Sequence, residues 1–379
     1  MTDQRNDAGS SGHSAATIVF RSPIDWLLLA VPAAFAVRYV PSWDNPALLF
    51  AVAGIGIIPL AAVLGRATDA LAARSGPAVG AVVNATFGNA AELIIGFMAL
   101  SKGLTGVVKA SLTGSIIGNM LLVFGASALA GGLRYRTQTF DKRSARAGST
   151  SLGLAGIAVI VPTVFHRAAE VRPGGWSAEA EQRLSLAIAA VLIVTYVLTL
   201  IFFLVTHRVP VADEGLASEE RPPALWLSLT MLTAATVLIG FLSEYLVDSI
   251  QAARQSVGFT ETFVGVIVVA IVGNAAEHAT AVTAALRNKM DLSLSIAANS
   301  STQVALFVAP LLLFASHFIG HPMTLEFSLP EVVAIGLAVW IVTEIAGDGE
   351  TNWLEGVQLL SVYLILAILF FFLPDAAHR

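Results

Sequence analysis

Long uncharged apolar runs, separated by short polar stretches, set the pattern of this chain. Eleven of them predict helices, at 25–40, 46–64, 79–100, 104–130, 149–165, 184–206, 224–247, 262–286, 292–314, 330–345 and 354–373. Most approach the ~20 residues that a helix needs to cross a hydrocarbon core of ~30 Å. Residues 1–22 are polar and read as a disordered tail, not as a cleaved leader. Residues 207–223 form a short acidic linker carrying Asp213, Glu214, Glu219 and Glu220. The chain then divides into the tail, an extra first helix within 23–45, five helices in 46–206, the linker, and five helices in 224–379.

Composition turns this pattern into a fold class. The 379 residues are 56% hydrophobic and 12% charged, about half the charge of a soluble domain. The expectation is an all-α polytopic membrane protein embedded in a lipid bilayer. A net charge of −5 without a basic patch excludes nucleic acid as a partner. The absence of cysteine excludes disulfides and thiolate metal sites. With the N-terminus in the cytoplasm, 13 of the 21 Lys and Arg residues fall inside and 8 outside. The cluster Arg134, Arg136, Lys142, Arg143 and Arg146 dominates that bias, so the positive-inside rule puts the C-terminus outside.

One stretch occurs twice. Residues 88–92 read Gly-Asn-Ala-Ala-Glu, and so do residues 273–277, an offset of 185. An ungapped overlay of 80–123 on 265–308 also pairs Ser115 with Ser300. Five helices per half is an odd number, so the second half enters the membrane inverted. That is the plan of secondary transporters, whose site lies between the repeats.

The duplicated stretch carries the candidate chemistry. Glu92 and Glu277 sit in apolar helices without a Lys or Arg within a turn. A lone carboxylate in hydrocarbon must be neutralised by a cation or a proton. Two facing carboxylates can take one divalent cation or protons, which is the basis of cation/proton exchange; a pair of protonated structural glutamates is the bland alternative. Asn89 and Asn274 lie three residues earlier, on the same helix face, and their amide oxygens are hard ligands suited to Ca²⁺. Gly88 and Gly273 can loosen the helix beside them. Ser115, Ser300 and Gln303 add polar atoms in mid-helix, with Asn119 a rough counterpart of Gln303, one position out of register. Small polar residues serve close helix packing equally well. His278 follows Glu277 where the first copy has Leu93. It is the candidate for a separate proton-coupling role beside the two glutamates, or for a hydrogen bond to a neighbouring helix.

These residues resemble the CAX family of Ca²⁺/H⁺ antiporters, within the cation/Ca²⁺ exchanger superfamily. The resemblance rests on 84–95 (Asn-Ala-Thr-Phe-Gly-Asn-Ala-Ala-Glu-Leu-Ile-Ile) and 273–282 (Gly-Asn-Ala-Ala-Glu-His-Ala-Thr-Ala-Val). It extends through 287–294, 303–310 and 349–356. It implies eleven helices in two inverted five-helix halves. It also implies that Glu92 and Glu277 bind the ion and compete for protons, with Asn89, Asn274, Ser115, Ser300 and Gln303 lining the site. Asn299 departs from a glycine common in the family.

The expected activity is export of cytoplasmic Ca²⁺, or a related divalent cation, against H⁺ by alternating access. Ca²⁺ and H⁺ are substrates and no cofactor is expected. A bacterial inner membrane is the expected location, and the oligomeric state stays open, a homo-oligomer among the options. Exchange driven by Na⁺ or K⁺ is the rival in the same class. An intramembrane metalloenzyme using Glu277 and His278 lacks a His-Glu-x-x-His pattern. A channel does not account for inverted halves.

Overall fold

The computed structural model describes residues 23–43, 45–170, 177–202 and 223–374. The expected tail at 1–22 and all of the linker except Pro223 lie outside the described residues. A 3₁₀ turn, Pro23–Leu29, leads into α1, Ala30–Tyr39. The chain continues through α2 (Pro46–Phe87), α3 (Ala90–Ser101), α4 (Thr105–Tyr135), α5 (Lys142–Glu170) and α6 (Ala178–Ile201). The second half contains α7 (Leu225–Val257), α8 (Glu261–Leu286), α9 (Met290–Ile319), α10 (Leu329–Asp348) and α11 (Trp353–Phe372). Among the described residues, nine helices are long and apolar enough to cross a membrane. Of the eleven expected crossings, the exceptions are α1, with ten residues, and α3, with twelve.

The third expected helix, 79–100, is split between the end of α2 and α3. The second, expected to stop near residue 64, instead runs on to a break at Gly76 (φ 78°, ψ 165°). Arg66 permits this, because it pairs at 2.8 Å with the fully buried Asp25. Alanines at 67, 70, 72 and 73 then favour helix. Pro77 ends the run by excluding a helical conformation at the residue before it.

The repeat extends to the packing. Helix α2 packs on α7, and α5 on α10. Four further pairings have a partner under exchange of halves: α4–α8 with α9–α3, α4–α10 with α9–α5, α4–α11 with α9–α6, and α2–α8 with α7–α3. Even the turns correspond. Lys102, Gly103 and Leu104 donate their N–H groups to Ala99, Leu100 and Ala99. Arg287, Asn288 and Lys289, 185 residues on, donate to Ala284, Ala285 and Ala284. Gly103 and Asn288 both take positive φ, 73° and 61°.

The described connections gather at two ends. At the proximal end, Gln138 Nε2 donates to Ala285 O (2.9 Å), Tyr135 OH to Leu286 O (3.0 Å), and Arg74 Nη2 to Pro223 O (2.6 Å). A two-stranded antiparallel ribbon pairs β1 (Thr137–Thr139) with β2 (Glu350–Asn352) there. The hydropathy pattern did not anticipate it. At the distal end, Lys102 pairs with Asp248 at 2.9 Å, Lys109 Nζ donates to Glu326 O at 2.7 Å, and Thr260 Oγ1 to Phe370 O at 2.9 Å.

Candidate ion-binding site

The two Gly-Asn-Ala-Ala-Glu stretches take different local forms. In the first, Gly88 and Asn89 interrupt the helix, and α3 starts at Ala90. Glu92 therefore lies in the first turn of α3, where the positive helix end favours a negative charge. In the second, the helix runs through from Ala270 to Leu286, so Gly273 does not loosen it and Glu277 sits mid-helix. Gly273 serves close approach instead: a Cβ there would lie 3.2 Å from Glu92 Cγ. The second copy thus makes room for the carboxylate of the first. Glu92 thereby packs against the helix that carries Glu277, one turn away.

A hydrogen-bond network surrounds them. Asn89 Nδ2 donates to Gln303 Oε1, joining α3 to α9. Asn274 Nδ2 donates to Ser115 Oγ at 2.8 Å, joining α8 to α4. Asn119 Nδ2 donates to Ser300 Oγ at 2.8 Å and to Asn274 Oδ1 at 3.3 Å. The structure thus brings together Glu92, Glu277, Asn89, Asn274, Ser115, Ser300 and Gln303. It adds Asn119 at the hub, which the sequence reading left outside the site. The overlay sets Asn119 against the apolar Val304, so the repeat alone did not mark it. A better signal was a buried-depth carboxamide in an otherwise apolar run.

A π-helical segment lies beside these polar residues in each half. The segment in α4 is Gly118–Val123 and the one in α9 is Val304–Val308. Moved back by 185, the second falls on 119–123. The wide turn inserts a residue into the helical path and is common at functional sites. It re-aims the chain just after Gly118 in one half and Gln303 in the other.

What the network leaves over is a set of oxygens. Asn89 Oδ1, Glu92 Oε2 and Glu277 Oε2 are buried and accept no hydrogen bond. Neither glutamate forms an ion pair among the described residues. Unpaired buried acceptors of this kind are costly unless a cation or proton completes them. Three hard oxygens with a formal charge of −2 fit one divalent cation of the Ca²⁺ type, the remaining ligands being oxygens of water or of the flanking amides. His278 stands apart from the network, its Nε2 buried without a hydrogen bond, so no bond to a neighbouring helix engages that atom.

The site is not equally sheltered on its two sides. Toward the distal end, Val264, Gly265, Val266, Val269, Ala270, Val272, Gly273 and Asn274 are buried. A Cβ on Gly265 would lie 2.8 Å from Val107 O, so α4 and α8 touch backbone to backbone. Toward the proximal end, none of residues 275–280 is buried, and Val79, Val82, Asn84 and Thr86 of α2 are exposed. Ser295 and Asn299 of α9 are exposed as well, with Asn299 Nδ2 donating to Ser295 Oγ at 3.1 Å.

The chain is similar to several known proteins. The chain is 45% identical over 363 residues to a Ca²⁺/H⁺ antiporter of Aphanothece halophytica, covering 92% of this chain and 96% of that protein. It is 46% identical over 335 residues to the Ca²⁺/H⁺ antiporter ChaA of Bacillus subtilis, covering 87% and 93%. The solved structure of native YfkE superposes with a TM-score of 0.79 at 40% identity, over 92% of this chain and 99% of that one. The H⁺/Ca²⁺ exchanger CAX shares the fold, with a TM-score of 0.68 at 13% identity over 94% and 93%. Residues 45–205 and 227–372 match the sodium/calcium exchanger protein family, and the chain belongs to that family.

Proposed function

We propose that this chain is a membrane antiporter that exchanges Ca²⁺ for H⁺ at a single site between its two halves. It is a transporter and not an enzyme. The observation that carries the reading is the trio of buried, unbonded oxygens, Asn89 Oδ1, Glu92 Oε2 and Glu277 Oε2, contributed by both copies of the repeat. With both glutamates ionised the site carries −2, which one Ca²⁺ neutralises. Two protons neutralise it equally well. Neither species stays when the other is bound, so an ion delivered to one side is replaced by protons on that side. The relatives, 44–46% identical over most of the chain, that carry the name Ca²⁺/H⁺ antiporter support the choice of ions.

Asn89, Asn274, Asn119, Ser115, Ser300 and Gln303 hold the carboxylates and supply neutral oxygens. His278, next to Glu277 yet outside the network, takes a proton-coupling role. The proximal end faces the cytoplasm, because it carries the basic cluster Arg134, Arg136 and Lys142. The site then opens inward in this structure, and the bacterial relatives support a home in the inner membrane. The test is uptake of radioactive Ca²⁺ by inverted vesicles under an imposed proton gradient. Uptake is expected to collapse with a protonophore. Uptake that ignores the protonophore but follows a Na⁺ gradient would overturn the coupling to H⁺.

A further inference from the structure

A second set of metal-ligand side chains lies far from the glutamates, at the distal end. His166 near the end of α5, Glu181 in the first turn of α6 and Glu326 in the α9–α10 connection each offer one ligand atom, all within 4.8 Å of one another. His166 Nδ1 is 3.5 Å from Glu181 Oε2, and its Nε2 is 3.3 Å from Glu326 Oε1. Bonds of ~2.05 Å give a tetrahedral metal site an edge of about 3.3 Å between ligand atoms. The two contacts involve different ring nitrogens, so a metal shared by all three residues sits on one nitrogen and requires the other carboxylate to move toward it from within 4.8 Å. The side chains are half-buried, at 13%, 16% and 27% exposure.

The segment carrying Glu326 is held in place for this. Leu325 N donates to Ser185 Oγ at 3.0 Å, Phe327 N to Thr163 Oγ1 at 2.9 Å, and Lys109 Nζ to Glu326 O at 2.7 Å. Lys109 thus bonds the backbone oxygen, and its charge lies near the Glu326 and Glu181 carboxylates as well. Arg167 approaches the Glu326 carboxylate at 3.9 Å, and its side chain is 56% exposed. One nitrogen and two carboxylate ligands suit zinc and its neighbours. They suit Ca²⁺ poorly, since it takes six to eight oxygens.

We propose that His166, Glu181 and Glu326 form a distal site for a transition-metal divalent cation of the zinc type, separate from the transport site. The bound metal ties α5 and α6 of the first half to the connection that continues α9 of the second. Helix α9 carries Ser300 and Gln303. A metal there holds α9 against α5 and α6 and slows the movement of one half against the other. Exchange is throttled from the outer side without competition for the Ca²⁺ site.

The experiment separates this site from the transport site. The Glu92→Gln/Glu277→Gln double variant, purified as the full chain, is titrated with Zn²⁺ by calorimetry and by thermal unfolding. One Zn²⁺ per chain is expected, with a rise in the unfolding temperature. Adding His166→Gln to that background is expected to weaken binding by about tenfold or more. In proteoliposomes, Zn²⁺ on the distal side is expected to slow Ca²⁺/H⁺ exchange several-fold in the wild-type chain. The His166→Gln and Glu326→Gln chains are expected to exchange at the wild-type rate with or without it. No Zn²⁺ binding by the double variant, or binding that His166→Gln leaves unchanged, would overturn the proposal whatever the transport results.

Discussion

The distal contact between α4 and α8 and the proximal face shared by α9 and the end of α2 are the same surface in sequence terms, 185 residues apart. They differ in packing. Ala110 and Gly114 of α4 are buried against Gly265 and Val266. Their counterparts Ser295 and Asn299 of α9 are exposed, opposite a stretch of α2 where Val79, Val82 and Asn84 are exposed too. One sequence pattern thus occurs closed in one half and open in the other. The difference marks which side of the site is sealed. Alternating access then needs no new structure, only an exchange of these two arrangements between the halves.

The largest expected effect tests whether the two copies act as one site. Glu92→Gln and Glu277→Gln are each expected to lower exchange by about a hundredfold or more, while membrane insertion and folding persist. Residues that act as a unit are grossly non-additive, so the double variant is expected to be no worse than either single one. Ca²⁺ flux in proteoliposomes decides it. Appreciable exchange in either single variant breaks the symmetry of the pair.

Next comes the contact that joins the copies. Gly273→Ala puts a methyl group 3.2 Å from Glu92 Cγ. The carboxylate must shift, and Ca²⁺ affinity is expected to fall by roughly tenfold at an unchanged maximal rate, because the variant misplaces a ligand without removing it. Exchange measured against Ca²⁺ concentration separates the two quantities. An unchanged half-saturating concentration would mean that Glu92 is not held against α8.

The chain has no cysteine, so single cysteines report directly on the open and closed surfaces. Ser295→Cys is expected to react with a membrane-impermeant maleimide from the proximal side several-fold faster than its counterpart Ala110→Cys reacts from either side. Conditions that drive turnover are expected to bring the two rates toward each other. Equal rates at rest would remove the distinction between an open and a sealed end.

Much of this was legible in the sequence because the repeat is written in polar residues at fixed depth. Glu92, Glu277, Asn89, Asn274, Ser115, Ser300 and Gln303 do converge. What the sequence concealed depends on packing across helices. Asn119 pairs with Val304 in the overlay, and only the crossing of α4 and α8 reveals that its amide reaches Asn274 and Ser300. The continuation of α2 past residue 64 hangs on a distant pair, Arg66 with buried Asp25, which no local pattern contains. Gly88 and Gly273 occupy equivalent positions, yet one lies at a helix break and the other spaces two helices. That split follows from their neighbours: Pro77 and the break at Gly76 unsettle the run before Gly88, whereas α8 is braced against α4 ahead of Gly273.

The smallest expected effect concerns the equivalent turns at 102–104 and 287–289. Lys102 makes an ion pair with the α7 helix there, with Asp248 at 2.9 Å, while Asn288 takes a hydrogen bond from Gln138 Nε2 at 3.1 Å. The hydrogen bond and charge of Asp248 raise the Lys102 ammonium above its ordinary value of 10.5. A raised lysine stabilises the fold fully below its unfolded value and loses that contribution only as pH rises through the folded one. The pair is therefore fully formed from pH 6 to 9, the range in which proton-coupled exchange is assayed. Asp248→Asn is expected to leave the shape of the exchange–pH profile unchanged there and to alter stability only slightly, since an exposed pair contributes little. A shifted profile in that variant would place a proton-linked group at the distal turn and not at the paired glutamates. The two halves would then differ in chemistry as well as in packing.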